Sequence, residues 1–551
     1  MSHTSLRSWS IAGFACLLEL CACTGSISSP DGASGRAAGV AGEAPSWGGG
    51  ASATVKVNVP AGMRRLSASQ YRTTVVDLFG STIKLPTELD PDDGHASFPS
   101  VGSYRVTTSP SGVLKYEDAA YLLSEQVLAE PALSQKTFGC DPQQGSSCAS
   151  SFVTTFGRRA WRRPLTEQEL ARYVGLIAET SKLLGSPGAG FARGLAAFLQ
   201  SPHFLYLPEV GETNAGRLRL TSHELASRLA YLLTEGPPDA ELAAAADRNE
   251  LQVPSQLQAQ LRRLLALPQA RPALHGFFTA LLGLAELDGL TKNVAVYPKA
   301  SPTLLTAMRD EARALVDDNV FGKQGAMLDL LDAKSSFTTP ELAGLYAGAS
   351  DRAGILTSAA WLAIQAKPNR SSPTLRGVWL RQRLLCQDVP SPPADVNNEL
   401  VVPAAGAGTP GDANGNVSTT TRQALEMHRK NPSCAACHAF FDPLGVAFEN
   451  FDGLGAYRAS ENGAAIDTSG DLDGKPFANS RELIALLKQD PRVGDCLVQQ
   501  LFEFVSGHAQ LPAAQQVVAQ LGPAFWARPD FVELLTQMVT SSWFASPAAP
   551  L

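Results

Sequence analysis

The chain has 551 residues, 44% of them hydrophobic and 18% charged, and a formal net charge of -7. That is ordinary globular composition with length for several cores, and it excludes a nucleic-acid binder, which needs a basic face. No internal apolar stretch approaches the ~20 uncharged residues of a membrane span.

Residues 1–23 read as a lipoprotein-type export signal: a weakly basic start at Arg7, an apolar stretch from Ile11 to Leu20 broken by Glu19, then small residues and cysteine. The segment Leu20-Cys21-Ala22-Cys23 resembles a bacterial lipoprotein box. That implies lipidation at Cys23, with Cys21 second, and attachment to a membrane through the lipid; a plain cleaved signal is the alternative. Residues 24–60, rich in Gly, Ala, Ser and Pro, form a disordered tether with little to bury. Export predicts a periplasmic or outer-membrane protein, in a compartment where disulfides persist. Setting aside Cys16, Cys21 and Cys23 leaves six of the nine cysteines. Cys140 and Cys148 flank a short polar loop and suit a structural disulfide. If Cys434 and Cys437 serve a cofactor, Cys386 and Cys496 remain as a pair.

In chain order, residues 63–80 predict a helix with Leu66, Tyr71, Val75, Leu78 and Phe79 at helical spacing and Gly80 at its end. Residues 82–115 read as a long loop, and helix resumes over 115–128. Thr166 with Glu169 forms a capping box that starts another helix. Residues 190–210 predict a helix stopped at Pro202. Thr221 or Ser222 caps a helix to about Thr234, and Asp239 caps the next. Long amphipathic stretches follow over 255–345. Residues 354–393 hold two helices joined by a polar loop, 394–420 read as a linker, and the tail is helical again. Short hairpins are expected near 53–59 and 464–478. The predicted fold class is mainly α, a multi-segment helical body with few short strands. Its breaks divide it into 61–135, 136–210, 211–345, 346–460 and 461–551.

The densest chemistry is NPSCAACHAFFDPLGVAFENFDGLGAYR, residues 431–458, which opens with Cys434, Cys437 and His438 as Cys-x-x-Cys-His. Covalent haem attachment needs two thiols spaced to reach both vinyl groups, with an adjacent His as the proximal iron ligand. Two other readings stand beside it. Zinc needs four N/S ligands, and His428 or Cys496 is the available fourth. A structural disulfide between Cys434 and Cys437 is the other; a redox disulfide lacks the surrounding βαβ pattern. For a haem, the distal ligand is His508 first, His428 second and Met538 third, or the site is open. Asp442-Pro443 suits a turn start, and Gly445, Gly453 and Gly455 suit tight turns. Phe440, Phe441, Phe448 and Phe451 wall a pocket or form ordinary core. Glu449, Asp452 and Arg458 suit a buried ion-pair network. Elsewhere, "DTSGDLDG" (467–474) lacks the Gly and Glu of a calcium loop and reads as an acidic turn. "RRAWRR" (158–163) offers cations for haem propionates or lipid headgroups, or else pairs with acidic neighbours. His203 and His223 read as capping or packing residues. Asp92 and Asp93 sit in a loop with no visible partner.

"RRLSASQYRTTVVDLFG", "FGRRAWRRPLTEQEL", "SPHFLY", "LASRLAYLLTEGPPDAEL", "RAGILTSAAWLAIQAKPNRSSPTLRGVWLRQRLLC" and the Cys-x-x-Cys-His segment occur in this order. They resemble large exported proteins of planctomycetes and myxobacteria built from the series DUF1587, DUF1595, DUF1592, DUF1588 and DUF1585. The likeness spans roughly residues 60 to 545 and implies a C-terminal cytochrome c-like helical region. Haem c held by Cys434, Cys437 and His438 is the cofactor it implies, and a cytochrome c often places its distal ligand in a C-terminal segment like that of His508. The expected role is electron transfer with a redox partner protein, or haem-dependent redox chemistry. The alternatives are a cell-surface binding or scaffold module in which Cys-x-x-Cys-His is only structural, and a peroxidase or oxidase with an open haem site.

Overall fold

The computed structural model describes residues 57–93, 98–105, 107–214, 217–322, 326–347, 352–391 and 420–548. The export signal, Cys23, most of the tether and the linker up to residue 419 lie outside them. The described chain is mostly helical, with five two-stranded antiparallel sheets. No described helix is long and apolar enough to cross a membrane.

Helices begin where local capping chemistry dictates. Ser67, Thr166 and Thr221 each close a capping box, with Gln70, Glu169 and Glu224 as the reciprocal partners. The first helix is Ala68–Phe79, shorter than the periodicity suggests. Met63–Arg65 is instead a strand paired with Tyr206–Pro208. The expected loop 82–115 holds two helix starts, Pro99–Arg105 and Pro110–Ala129, the second capped by Ser109 with Pro at its first turn. The expected helix 190–210 is a helix Pro187–Gln200, one turn at Pro202–Leu205, and the strand Tyr206–Pro208. No strand forms over 57–59. In the second hairpin region there are two hairpins, turned at Asn462-Gly463 and Asp473-Gly474 with positive φ at all four residues.

Two hydrophobic cores result. One is built from residues 66–207 with Tyr231, around the packed rings of Phe138, Phe152, Phe156, Phe191 and Phe198. The other takes residues 220–544 together with Val59, Phe98 and Val101. Phe98 stacks on Phe277 at 5.5 Å, so an N-terminal segment fills the second core. Each such buried ring contributes about 1.5–3 kcal/mol. Disulfides join Cys140 to Cys148 and Cys386 to Cys496. Two disulfides fit a protein of the periplasm or the cell exterior.

The helix carrying Cys434, Pro432–Val446, packs against the helix Pro373–Trp379 at backbone contact. A Cβ on Gly377 would lie 2.0 Å from the Phe441 carbonyl oxygen, and one on Gly445 would lie 1.8 Å from that of Pro373. Gly445 is therefore a close-approach residue inside a helix, not a turn residue. Gly453 is likewise crowded, against the Tyr297 hydroxyl and the Arg370 carbonyl, and Gly455 does take positive φ. Asp442-Pro443 does not start a turn either. The helix runs through Pro443, which withholds a donor from the carbonyl of exposed Ala439.

Helix propensity alone favours Ala over Gly by about 1 kcal/mol, so the contact can be tested by sign. Gly445→Ala is expected to lower stability by about 1–3 kcal/mol in urea unfolding, because the added methyl meets backbone. Gly344→Ala, in a helix with open space around the position, is expected to raise it by about 0.5–1 kcal/mol.

Candidate functional site

The cysteine helix starts at Pro432 behind an Asn431 cap whose side chain accepts from the Ser433 N–H at 3.0 Å. Cys434, Cys437, His438 and Phe441 then fall at i, i+3, i+4 and i+7, one face of the helix. All four line a cavity of about 440 Å³, within the range of ligand and cofactor sites. Both thiols are free, Cys434 buried and Cys437 exposed, whereas the other four described cysteines are bonded.

His438 is held by what lies one turn on. Its Nδ1 donates to Asp442 Oδ2 at 2.9 Å, and the other oxygen of this buried carboxylate accepts from the Thr374 hydroxyl at 3.0 Å. That bond orients the ring and, in the neutral imidazole, puts the proton on Nδ1 and the lone pair on Nε2, the pattern of a metal-ligating His with an orienting carboxylate. His428 ends the preceding helix, Thr421–His428, whose capping box joins Thr420 and Gln423. The two imidazoles meet edge to face at 4.7 Å between centroids, and both line the cavity. Burial, then the like charge of His438, holds His428 below the ordinary His value, with Asp442 opposing.

The facing wall comes from the hairpin Ala366–Ser371 and the helix Pro373–Trp379, anchored by a buried polar cluster. Arg376 is fully buried and donates to the carbonyls of Phe448, Phe451 and Asp452 at 2.8, 3.0 and 2.9 Å, and to Glu449 at 3.1 Å. The second oxygen of Glu449 accepts from Ser371 and Arg458, each at 2.9 Å. Asp452, expected among the ion pairs, instead accepts from the N–H groups of Leu454 and Ala456.

Of the three distal candidates, His428 alone lines the cavity. His508 packs on Tyr104 at 4.3 Å, and its Nε2 bonds the Pro60 carbonyl at 3.1 Å. Met538 is fully buried in the second core. The zinc reading loses a ligand because Cys496 is bonded to Cys386, and the described residues hold no group of three or more His, Cys, Asp or Glu arranged for a metal ion. Phe441 walls the cavity, Phe448 packs on Trp361, Phe451 lies beneath Arg352 and Phe440 beneath Arg381.

The remaining candidates have structural partners. In the 158–163 cluster Arg158 pairs with Asp247, Arg159 with Asp77 and Arg163 with Glu169, while buried Arg162 donates to the carbonyls of His203, Phe204 and Tyr206. His203 packs at a tilt on Trp161 and His223 bonds Asp247. Asp92 and Asp93 pair with Arg65 and Arg105. Asp473, in the loop that superficially matches a calcium site, pairs with Arg381 and Arg492.

Four family models match the chain in order, each described as a protein of unknown function: PSD3 (DUF1587) over residues 64–129, PSD5 (DUF1595) over 148–209, PSD4 (DUF1592) over 220–347 and PSCyt3 (DUF1588) over 352–461. Together they define a multi-domain class assembled from modules of unknown function, here with a cytochrome-like PSCyt3 module present. Cys434, Cys437, His438 and Phe441, and His428, fall inside the PSCyt3 match. The chain matches no curated protein and no solved structure.

Because His438 lowers the His428 midpoint, His438→Ala is expected to raise it, read from the imidazole carbon-bound proton resonances against pH. The sign for stability follows. A His whose folded value is depressed makes stability rise with pH up to the ordinary range near ~6.5 and level off above it. That rise is expected to shrink in His428→Gln.

Proposed function

We propose that the chain is an exported protein with one covalent haem, which Cys434 and Cys437 would hold by thioethers and His438 would ligate, with His428, packed against the His438 ring, as the second imidazole in reach. Its role is electron transfer. The observation that carries this reading is the single helix face on which both free thiols and an Asp442-oriented imidazole open onto one cavity. The fit is chemical: two thiols three residues apart, an Nε2 with a free lone pair, and an apolar Phe441 wall. When bound, the haem supplies a one-electron iron couple. The chain's own residues do the rest. Asp442 and Thr374 hold the His438 tautomer, His428 stands as a second imidazole beside the first, and Arg376 with Glu449 keeps the facing wall in place. If His428 ligated the iron, it would fill the position that the peroxidase alternative needs open. Lipidation at Cys23 and a membrane anchor belong to the same reading, as does a separate redox partner protein.

The test is a pyridine haemochrome spectrum on protein exported in a cell with cytochrome c maturation. A two-thioether band is expected, shifted in Cys434→Ala or Cys437→Ala and absent in the double variant. Carbon monoxide is expected to bind the reduced protein readily only in His428→Ala. A colourless, folded protein sinks the reading.

A further inference from the structure

We propose that the mouth of the Cys434/Cys437 cavity is an electropositive docking face for the acidic surface of a protein partner; its redox purpose rests on the haem reading above. Lys367 and Arg370, on the Ala366–Ser371 hairpin, line the cavity. Arg429 and Lys430 directly follow His428, which lines it too. Lys367 and Lys430 are exposed; Arg370 and Arg429 are half-buried. Among the described residues none of the four has a carboxylate within 4.0 Å. That sets them apart from the arginines of the 158–163 cluster and from Arg376, Arg381 and Arg458, which are paired or bonded to carbonyls. Acids in the same segments do not balance them. Asp442 is buried on His438, and Glu426 is paired with Arg422, which leaves exposed Asp388 beside the lining residue Val389.

The sign is opposite to that of the whole molecule, whose net charge is -7. A cation cluster with no carboxylate within 4.0 Å among the described residues of an acidic protein steers by local field, because at ~0.15 M salt charges beyond about 8 Å are screened. The cations come from two separate segments and two of them are exposed, an arrangement that suits a broad acidic surface better than a small enclosed anion. A face with several carboxylates would meet Lys367 and Arg370 at the cavity lining and Arg429 and Lys430 next to His428 in the chain; electrostatic pairing of that kind sets on-rate and orientation.

The test needs no haem. In the full chain without haem, the thiolate of Cys437 attacks a reagent disulfide, forms a mixed disulfide and releases one aromatic thiolate. The dianionic Ellman reagent and neutral dithiodipyridine are compared, so that their rate ratio cancels the thiolate fraction. The ratio is expected to fall about tenfold from ~0.01 M to ~0.15 M salt, and poly-L-glutamate is expected to slow the Ellman reagent at low salt. Both effects are expected to vanish in the variant carrying Lys367→Gln, Arg370→Gln, Arg429→Gln and Lys430→Gln, with an unchanged circular dichroism spectrum. A ratio that rises with salt, as the net charge alone dictates, overturns the proposal. So does Ellman preference without poly-L-glutamate competition, which marks a small-anion pocket. If haemochrome shows a haem, oxidation of the reduced protein by ferricyanide, one electron passing to give ferrocyanide, is expected to show the same salt slope. A face that passes the thiol test in a chain that never takes up haem leaves the docking surface standing and removes the electron-transfer reading.

Discussion

A guanidinium cut off from water organises the region around the cavity. Burying a charge costs several kcal/mol unless it is paired and its donors are used. Arg376 meets most of that demand through its two terminal nitrogens, with Glu449 and three carbonyls of the segment that leaves the cysteine helix, while its buried Nε has no partner. The bonds are directional, so they fix where that segment runs in a way that apolar packing does not. The same helix as Arg376 carries Gly377, which lets the two backbones touch. It also carries Thr374, which steadies Asp442 and through it His438. One seven-residue helix thus sets the wall, the spacing and the imidazole orientation.

The two cores are tied by exchange of side chains. Phe98 and Val101 leave the N-terminal part to enter the second core. Tyr231 returns to the first, its hydroxyl 2.8 Å from Thr74 and accepting from Arg162 at 3.2 Å. The Cys386–Cys496 disulfide spans 110 residues and closes the loop that contains the whole cysteine segment. In the chain-entropy account a loop of that size is worth up to about 4.7 kcal/mol. The cysteine helix is therefore held on one side by Arg376 and bracketed in sequence by a covalent link.

What the sequence reveals follows the range of each interaction. The Thr166–Glu169 box and the Asp239 cap are local and legible. Ser109-Pro110 carries the same chemistry, but its Gly, Ser and Pro surroundings read as loop. Asn462-Gly463 and Asp473-Gly474 are strong turn signals that locate the hairpins better than strand alternation does over two or three residues. The cysteine and histidine types of the site were readable because they are contiguous. Thr374, Arg376, Lys367 and Arg370 were not, since nothing local says that residues some seventy positions upstream form the facing wall. His508 shows the same limit. A histidine in a C-terminal helical segment suits a cytochrome-like tail, but its partner is Pro60, more than four hundred residues away in sequence.

The state of the cysteines bears on what the cavity is for. Four described cysteines are joined in pairs, while Cys434 and Cys437 are three residues apart and unjoined. A helix sets such neighbours about 5–6 Å apart at Cβ, beyond the ~3.5–4.5 Å of a disulfide, so closing that bond requires the first turn to tighten. A group that spans both sulfurs requires no such distortion. It also uses the His438 lone pair, which the Asp442 bond directs away from its own helix turn. A disulfide would leave both the oriented imidazole and the buried carboxylate behind it without a purpose. The cost of burying Asp442 is intelligible when the ring it holds has something to bind.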